Sequence, residues 1–148
     1  MHRSIVASAV GVAIFAVGCA KPEFLAADRT TPVNVTVRCE GDSMVARVNP
    51  YSVRLANTDT DNDIAEWVLT SESNASEIEI TKKGSEDWPF DGPYPVKAKK
   101  NQPGKGTGVK KHKKGQYSYE YAISALCVLN GQAKKVVIDP DIIIIWTD

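Results

Sequence analysis

The amino-acid sequence predicts an all-β protein, an antiparallel β-sandwich of about seven or eight strands. Three observations lead to this fold class. Apolar residues recur at every second position in several short segments, which is the spacing of a strand with one buried face. Turn-forming residues separate these segments, and no segment after residue 32 keeps a helical period for three turns. Many short strands divided by turns are typical of a sandwich.

The first three predicted strands follow one another closely. Every second residue of segment 33–39 is apolar, and segment 44–48 repeats this alternation after a turn rich in glycine and acidic residues. Segment 51–55 alternates again, and Pro50 separates it from the strand before it. These segments predict a hairpin followed by a third strand.

Five further strands are predicted. They are 64–69, 77–80, 116–127, 134–138 and 142–146. The longest of them places three tyrosines and an isoleucine on one face, whereas the last is too apolar to have a solvated face. The dipeptide Asn130-Gly131 indicates a tight turn between two hairpin strands.

The first twenty residues, MHRSIVASAVGVAIFAVGCA, predict an export signal. A short basic start precedes an apolar run over residues 5–18, which is shorter than the roughly 20 residues that a membrane-spanning helix needs. Two other interpretations remain open: an ordinary secretory cleavage site after small residues, and an uncleaved anchor.

The end of this run resembles the lipobox of bacterial lipoproteins, in the residues Ala16-Val17-Gly18-Cys19. The resemblance implies that 1–18 is a signal peptide and that Cys19 carries lipid as the mature N-terminus, so that the membrane is one partner of the chain. Segment 19–32 is then a tether, and 33–148 is the folded domain. Alanine rather than aspartate follows the cysteine, which in Gram-negative lipoproteins favours the outer membrane over the inner one.

Three cysteines occur in the chain. If Cys19 is lipidated, Cys39 and Cys127 remain as a natural disulfide pair in an oxidising compartment. On the chain-entropy model, the loop that such a bridge closes would stabilise the folded state by roughly 4.5 kcal/mol. The alternative is a pair of buried free thiols. The sequence has no CxxC pair, which argues against a zinc or thioredoxin-type site.

The layout of the domain resembles an immunoglobulin-type core and is similar to a cupredoxin-like sandwich. A cysteine lies near each end of the strand set, Trp67 lies between them, and a tyrosine-rich strand runs into the second cysteine. Trp67 is further from Cys39 than antibody domains place it. A copper site needs two histidines, but His112 is the only one beyond the signal. We therefore interpret His112 as a solvated loop residue.

Segment 84–115 is predicted to be a long loop of two parts. In its first part, the aromatic residues Trp88, Phe90 and Tyr94 alternate with prolines. They are expected either to pack over the open end of the sandwich or to form an aromatic platform for recognition.

The second part of this loop is rich in lysine and lacks acidic residues, although the whole chain has no net charge. Its eight lysines are Lys97, Lys99, Lys100, Lys105, Lys110, Lys111, Lys113 and Lys114. Lysines suit diffuse anionic surfaces, so an anionic component of the cell envelope is the predicted partner, and the export signal argues against intracellular nucleic acid. The alternatives are a solubilising loop, and an accessory subunit that docks to an envelope protein by a strand edge.

The sequence predicts neither an enzyme nor a cofactor. It has no GxSxG or SxxK motif, and no pair of carboxylates stands out by its spacing. Alternate aspartates at Asp59, Asp61 and Asp63 suggest a calcium loop, but Ile64 and Thr70 occupy positions where an EF-hand needs glycine and glutamate. A polar hairpin loop is the other interpretation, and no metal is assigned.

Overall fold

The computed structural model describes residues 29–40, 43–58, 62–84, 87–129 and 132–146. This part of the chain forms ten β-strands. They are β1 (Thr30–Glu40), β2 (Ser43–Asn49), β3 (Ser52–Asn57), β4 (Ile64–Leu69), β5 (Glu77–Lys82), β6 (Val96–Lys99), β7 (Gly104–Gly106), β8 (Gly115–Leu129), β9 (Gln132–Ile138) and β10 (Asp141–Trp146). Within these residues, no helix is long and apolar enough to cross a membrane.

The strands form two sheets that pack as a sandwich. One sheet has the order β2-β1-β4-β7, and the other has the order β3-β10-β8-β5-β6. Strand β10 pairs with the first half of the long β8, whereas β9 pairs with its second half. Most pairs are antiparallel, but β1 with β4 and β10 with β3 run parallel. The all-β sandwich is therefore confirmed, and its sheets are mixed rather than purely antiparallel.

All eight predicted strands are present, because the alternation of apolar residues marks the face of each strand that packs toward the core. In β4 and β10 every second side chain is fully buried. The core is centred on large side chains such as Trp67, Tyr121 and Ile144. Two further short strands, β6 and β7, lie inside the segment predicted to be a loop. Three or four residues are too few for a periodic signal, so the sequence did not reveal them.

The disulfide between Cys39 and Cys127 is present and joins the two sheets, with their Cα atoms 6.0 Å apart. It connects the end of β1 to the second half of β8. Trp67, however, lies beside Val33 in the neighbouring strand, at the other end of β1. It contacts Tyr121 instead of the disulfide, so this part of the core differs from the immunoglobulin pattern that its sequence resembles.

Strand register defines two ends of the sandwich. At the end that we call proximal, the described chain begins at Arg29, Thr30 lies beside Ile64, and Trp146 pairs with Gly115. At the opposite, distal end lie the last residues of β1 and β8, the first residues of β2 and β9, and the disulfide. The two ends of β8 are separated by on the order of 40 Å, given the rise of a strand.

Candidate functional site

The segment between β5 and β8 is folded against the sandwich instead of forming a structureless loop. Besides β6 and β7, it contains a bridge between Phe90 and Val109. Two backbone hydrogen bonds extend this bridge: Asp91 N–H donates to the Gly108 carbonyl at 2.7 Å, and Lys110 N–H donates to the Pro89 carbonyl at 2.9 Å. The stretch before β8 is therefore attached to the proline-rich stretch by backbone bonds.

Two of the three residues of the predicted aromatic platform are buried. Trp88 is 7% exposed and Phe90 is 2% exposed, and their ring centroids are 5.4 Å apart. Phe90 also contacts Trp67 edge-on, at 6.1 Å. Only Tyr94 is exposed, at the outer side of Trp88. The platform prediction is therefore wrong for Trp88 and Phe90, which extend the core, and the packing alternative holds for them.

A glycine makes this packing possible. A Cβ atom on Gly106 would lie 2.7 to 2.9 Å from three carbons of the Phe90 ring. Because contacts this short do not occur, β7 can pass over the ring only where no side chain is present. The repeated glycines in this segment therefore reflect close packing, not only flexibility.

Two lysines of the predicted cationic set form ion pairs on the outer face of β5 and β6. Lys97 Nζ lies 3.5 Å from Glu77 and 3.6 Å from Glu79, and Lys99 Nζ lies 3.3 Å from Glu77. A hydrogen bond from Lys99 and the charge of Lys97 lower the pKa of the Glu77 carboxyl. The positive charge of these two lysines is thus largely balanced.

A third lysine, Lys105, pairs with Glu66 at 3.3 Å. By contrast, Lys110, Lys113 and Lys114 are exposed and form no ion pair with an acidic residue of the described chain. The predicted set of eight is therefore divided, and its unbalanced charge is concentrated just before β8.

We call Lys110, Lys111, Lys113 and Lys114 the lysine cluster. All four side chains are exposed. Lys100 is exposed too, but it belongs to the β6–β7 turn, next to Asn101 with its positive φ of 63°. Lys100 is therefore separated in sequence from the cluster by β7.

His112, at the centre of the lysine cluster, is packed on the sandwich. Its ring stacks on Tyr117, with centroids 4.3 Å apart, and Nε2 lies 2.8 Å from the Tyr119 hydroxyl, a hydrogen bond. Trp146 approaches edge-on at 6.4 Å. The Tyr117 hydroxyl donates to the Lys113 carbonyl at 2.9 Å. The interpretation of His112 as a solvated loop residue is wrong; the residue attaches the cluster to β8 and β10.

Tyr119 remains a neutral phenol in this arrangement. Burial raises its pKa above the ordinary value, and the nearby charge of Asp87 adds to the shift. The hydroxyl is therefore protonated at neutral pH, which suits a structural hydrogen bond with His112. The pair gives no sign of an activated base or nucleophile.

The predicted calcium loop is only partly within the described residues. Asp59 and Asp61 lie outside them. Asp63 is buried and accepts hydrogen bonds from the Arg29 guanidinium at 3.2 and 3.3 Å and from the Ala56 N–H at 2.8 Å. Its carboxylate therefore connects the start of the fold to β3. The described chain contains no group of three His, Cys, Asp or Glu residues that could hold a metal ion.

An exposed apolar stripe, formed by Leu126, Val128 and Val137, lies on the outer face of the β8–β9 hairpin and was not predicted from the sequence. Their side chains are 66%, 70% and 57% exposed. Leu126 is opposite Lys135, so that Val137 is its diagonal neighbour across the pair. The stripe lies toward the distal end, near the disulfide. Two valines and a leucine at alternate positions on the non-core face could have indicated it.

The predicted lipidation site, Cys19, and the signal lie outside the described residues. The chain matches no protein-family model, no curated protein and no solved structure.

Proposed function

We propose that this protein is an exported, lipid-anchored and non-enzymatic module of the cell envelope, which binds an anionic partner through its lysine cluster. The observation that carries the proposal is the attachment of the cluster. His112 and Tyr117 hold its backbone on the sandwich, so the exposed lysines on either side form a defined positive surface. A surface of this kind binds with less loss of conformational entropy than a free loop would.

The proposed export and anchor rest on the lipobox-like residues 16–19. The disulfide between Cys39 and Cys127 supports this location, because structural disulfides persist in oxidising compartments. With these two cysteines paired, Cys19 is left to serve another purpose, as lipidation would provide.

The non-enzymatic part of the proposal is supported by how the reactive side chains are used. His112 is bound by Tyr119, and burial raises the pKa of the Tyr119 hydroxyl, which is the opposite of activation as a nucleophile. Among the acidic residues, Asp63 is held by Arg29, and Glu77 is held by lysines. Each group has a structural partner that explains its position.

Binding of inorganic polyphosphate tests the anionic-partner proposal. We expect the protein to bind it at low salt and to release it as ionic strength rises, since the lysines are exposed and screened. Replacing Lys110, Lys113 and Lys114 by Gln should weaken binding at least ten-fold. Unchanged binding in this variant would contradict the proposal.

A matched control is available in the same chain. Replacing Lys97, Lys99 and Lys105 by Gln removes the same number of charges, but from residues that already pair with glutamates. If local position matters, this variant should bind polyphosphate nearly as well as the wild type. An equal loss of polyphosphate affinity in both variants would mean that binding depends only on the net charge of the protein.

An intact mass of the protein extracted from its host membrane tests the anchor. The proposal expects residues 19–148 with acyl chains on Cys19 and with Cys39 and Cys127 oxidised. A chain without acyl groups would overturn the anchored part of the proposal while leaving the polyphosphate experiment informative.

The apolar stripe favours a second candidate function, that of an accessory subunit docking to an envelope protein by a strand edge. Within the described sheets β9 forms a hydrogen-bonded pair only with β8, and the exposed side chains of Leu126, Val128 and Val137 lie on this hairpin. Such docking should survive high salt. Replacing Leu126 and Val128 by Ser should abolish recovery of a protein partner, whereas the lysine substitutions should not.

A further inference from the structure

The start of the fold and the lysine cluster lie at the same end of the sandwich. Thr30 begins β1 beside Ile64, and the Asp63 carboxylate joins Arg29 to the end of β3. The end of β3 pairs with the end of β10 at Trp146, which the ring of His112 approaches at 6.4 Å. Both features are therefore proximal.

This coincidence follows from three separate connections. Register in the first sheet places the start of β1 at the proximal end, and register in the second sheet places the start of β8 beside the end of β10. The hydrogen bonds of Asp63 link the two sheets at this end. The distal end, by contrast, carries the disulfide and the apolar stripe.

The length of the tether limits how far the proximal end can lie from a lipid on Cys19. Arg29 is ten positions after Cys19, and a fully extended chain of ten steps spans at most about 35 Å. The surface field of an anionic membrane falls off over about 8 Å at physiological salt. The proximal end thus stays within reach of the tether, and the lysines enter the surface field when the sandwich approaches the membrane to within about 8 Å.

We propose that the anionic partner of the lysine cluster is the phospholipid headgroup layer of the membrane that holds the anchor. This inference rests on the proposed function, since it needs the lipid on Cys19. The sandwich then stands on its proximal end with two membrane contacts, acyl chains and lysines, and presents the apolar stripe on the side away from the bilayer. A single point of attachment would leave this orientation free.

The chemistry of the cluster fits headgroups. Ammonium groups are point charges that do not require a fixed bidentate geometry, and the cluster contains lysines but no arginine. Each lysine at a surface rich in anionic lipid contributes about a five-fold factor in binding. The three lysines without a described ion pair thus supply roughly a hundred-fold factor, if their effects multiply.

The acidic residues that the structure describes at the proximal end do not cancel this charge. The Asp63 carboxylate is buried and paired with Arg29. Asp87 is exposed and close enough to raise the pKa of Tyr119. Asp91 is exposed too, and its N–H donates to the Gly108 carbonyl just before the cluster. These are two carboxylates against the four lysines of the cluster. Among the described residues around His112, lysines therefore outnumber carboxylates.

Amide hydrogen exchange of the lipidated protein in vesicles tests the inference. The vesicles contain phosphatidylcholine, either alone or mixed with phosphatidylglycerol. Peptides covering residues 109–117 should exchange at least ten-fold more slowly in the mixed vesicles at about 50 mM salt, and this protection should disappear at about 500 mM. Peptides covering 126–128 should exchange equally in both.

Two variants provide the control. Gln at Lys110, Lys113 and Lys114 should remove the protection, whereas Gln at Lys97, Lys99 and Lys105 should preserve it. Protection that persists in the first variant would overturn the inference, because the lysines would not be its cause.

Adding polyphosphate to the phosphatidylcholine vesicles separates the inference from the proposed function. If polyphosphate protects residues 109–117 but phosphatidylglycerol does not, the headgroup inference is overturned and the anionic-partner function stands. If neither protects them, both are overturned. If the intact mass shows no acyl groups on the protein, the lipid anchor is absent and the inference is overturned.

Discussion

The ring of His112 lies almost parallel to the ring of Tyr117, with 4.3 Å between centroids and 25° between planes. Tyr117 belongs to the inward face of β8, the strand that begins three residues after the histidine. The chain therefore folds back on the strand that it is about to enter. The positions of the lysines around His112 depend on this contact and on the hydrogen bond to Tyr119.

Replacing His112 by Ala should detach the lysine cluster without changing its lysines. We expect the free energy of unfolding to fall by about 1 kcal/mol, the usual worth of an aromatic pair beyond its buried area. Hydrogen exchange at residues 110–114 should accelerate, and polyphosphate affinity should fall several-fold because a mobile cluster must be ordered on binding. Replacement of Lys110, Lys113 and Lys114 by Gln is the control. This variant should lose polyphosphate affinity, but hydrogen exchange at residues 110–114 should not change. Unaltered exchange in the histidine variant would contradict this account.

The fold class was predictable because the sequence alternates on the same period as a strand. Segment 64–69 became β4 with its predicted bounds, and 142–146 became β10 with one residue added. Direction of pairing was not predictable, since alternation identifies a buried face but not its neighbour. The parallel pairs of β1 with β4 and β3 with β10 join strands that are distant in the chain.

The site was only partly predictable, for a related reason. The lysine-rich composition of residues 97–114 was visible, but the balance of Lys97 by Glu79 depends on the register of β5 against β6. Likewise, nothing in the sequence near His112 indicates that Tyr119 will face it. Ion pairs and ring contacts between distant residues require the topology first.

Replacing Gly106 by Ala should destabilise the sandwich by about 1 to 3 kcal/mol, the usual cost of overpacking a tight core. The added methyl group would meet the Phe90 ring at 2.7 to 2.9 Å, so either β7 or the ring must shift. Urea denaturation with fluorescence detection measures the loss.

A double-mutant cycle with Phe90→Leu checks the cause. If the methyl group acts through the ring, the smaller side chain should relieve part of the strain, and the double variant should be more stable than the sum of the single effects implies. Strict additivity would show that Gly106 is required for another reason, such as the pairing of β7 with β4.

Removing the disulfide should cost about 2 to 5 kcal/mol, because the bridge between Cys39 and Cys127 closes a long loop across the two sheets. The variant with Ala at both positions should have the same melting temperature with and without a reducing agent. The wild type should melt lower when it is reduced. A wild type that is indifferent to reduction would indicate that the bridge adds little to stability.

Stability at alkaline pH should depend on Tyr121. Burial raises the pKa of its hydroxyl to about 12, partly opposed by the hydrogen bond from Trp67 Nε1. The unfolded chain releases this proton near pH 10, while the folded protein keeps it until about pH 12. In this window the folded state binds one more proton, so stability falls as pH rises, by about 1.4 kcal/mol per pH unit.

Tyr121→Phe is the matched control, since it keeps the ring and removes the ionisable group. The variant loses the partner of Trp67 Nε1 and should therefore be less stable than the wild type at neutral pH. This difference should be constant below about pH 9 and should then shrink by about 1.4 kcal/mol per pH unit between about pH 10 and pH 12, so that at pH 12 it has changed by about 2 kcal/mol. Deprotonation of the lysines affects both proteins equally and cancels in the comparison. A difference that stays constant through this range would mean that Tyr121 ionises as easily in the folded protein as in the unfolded chain.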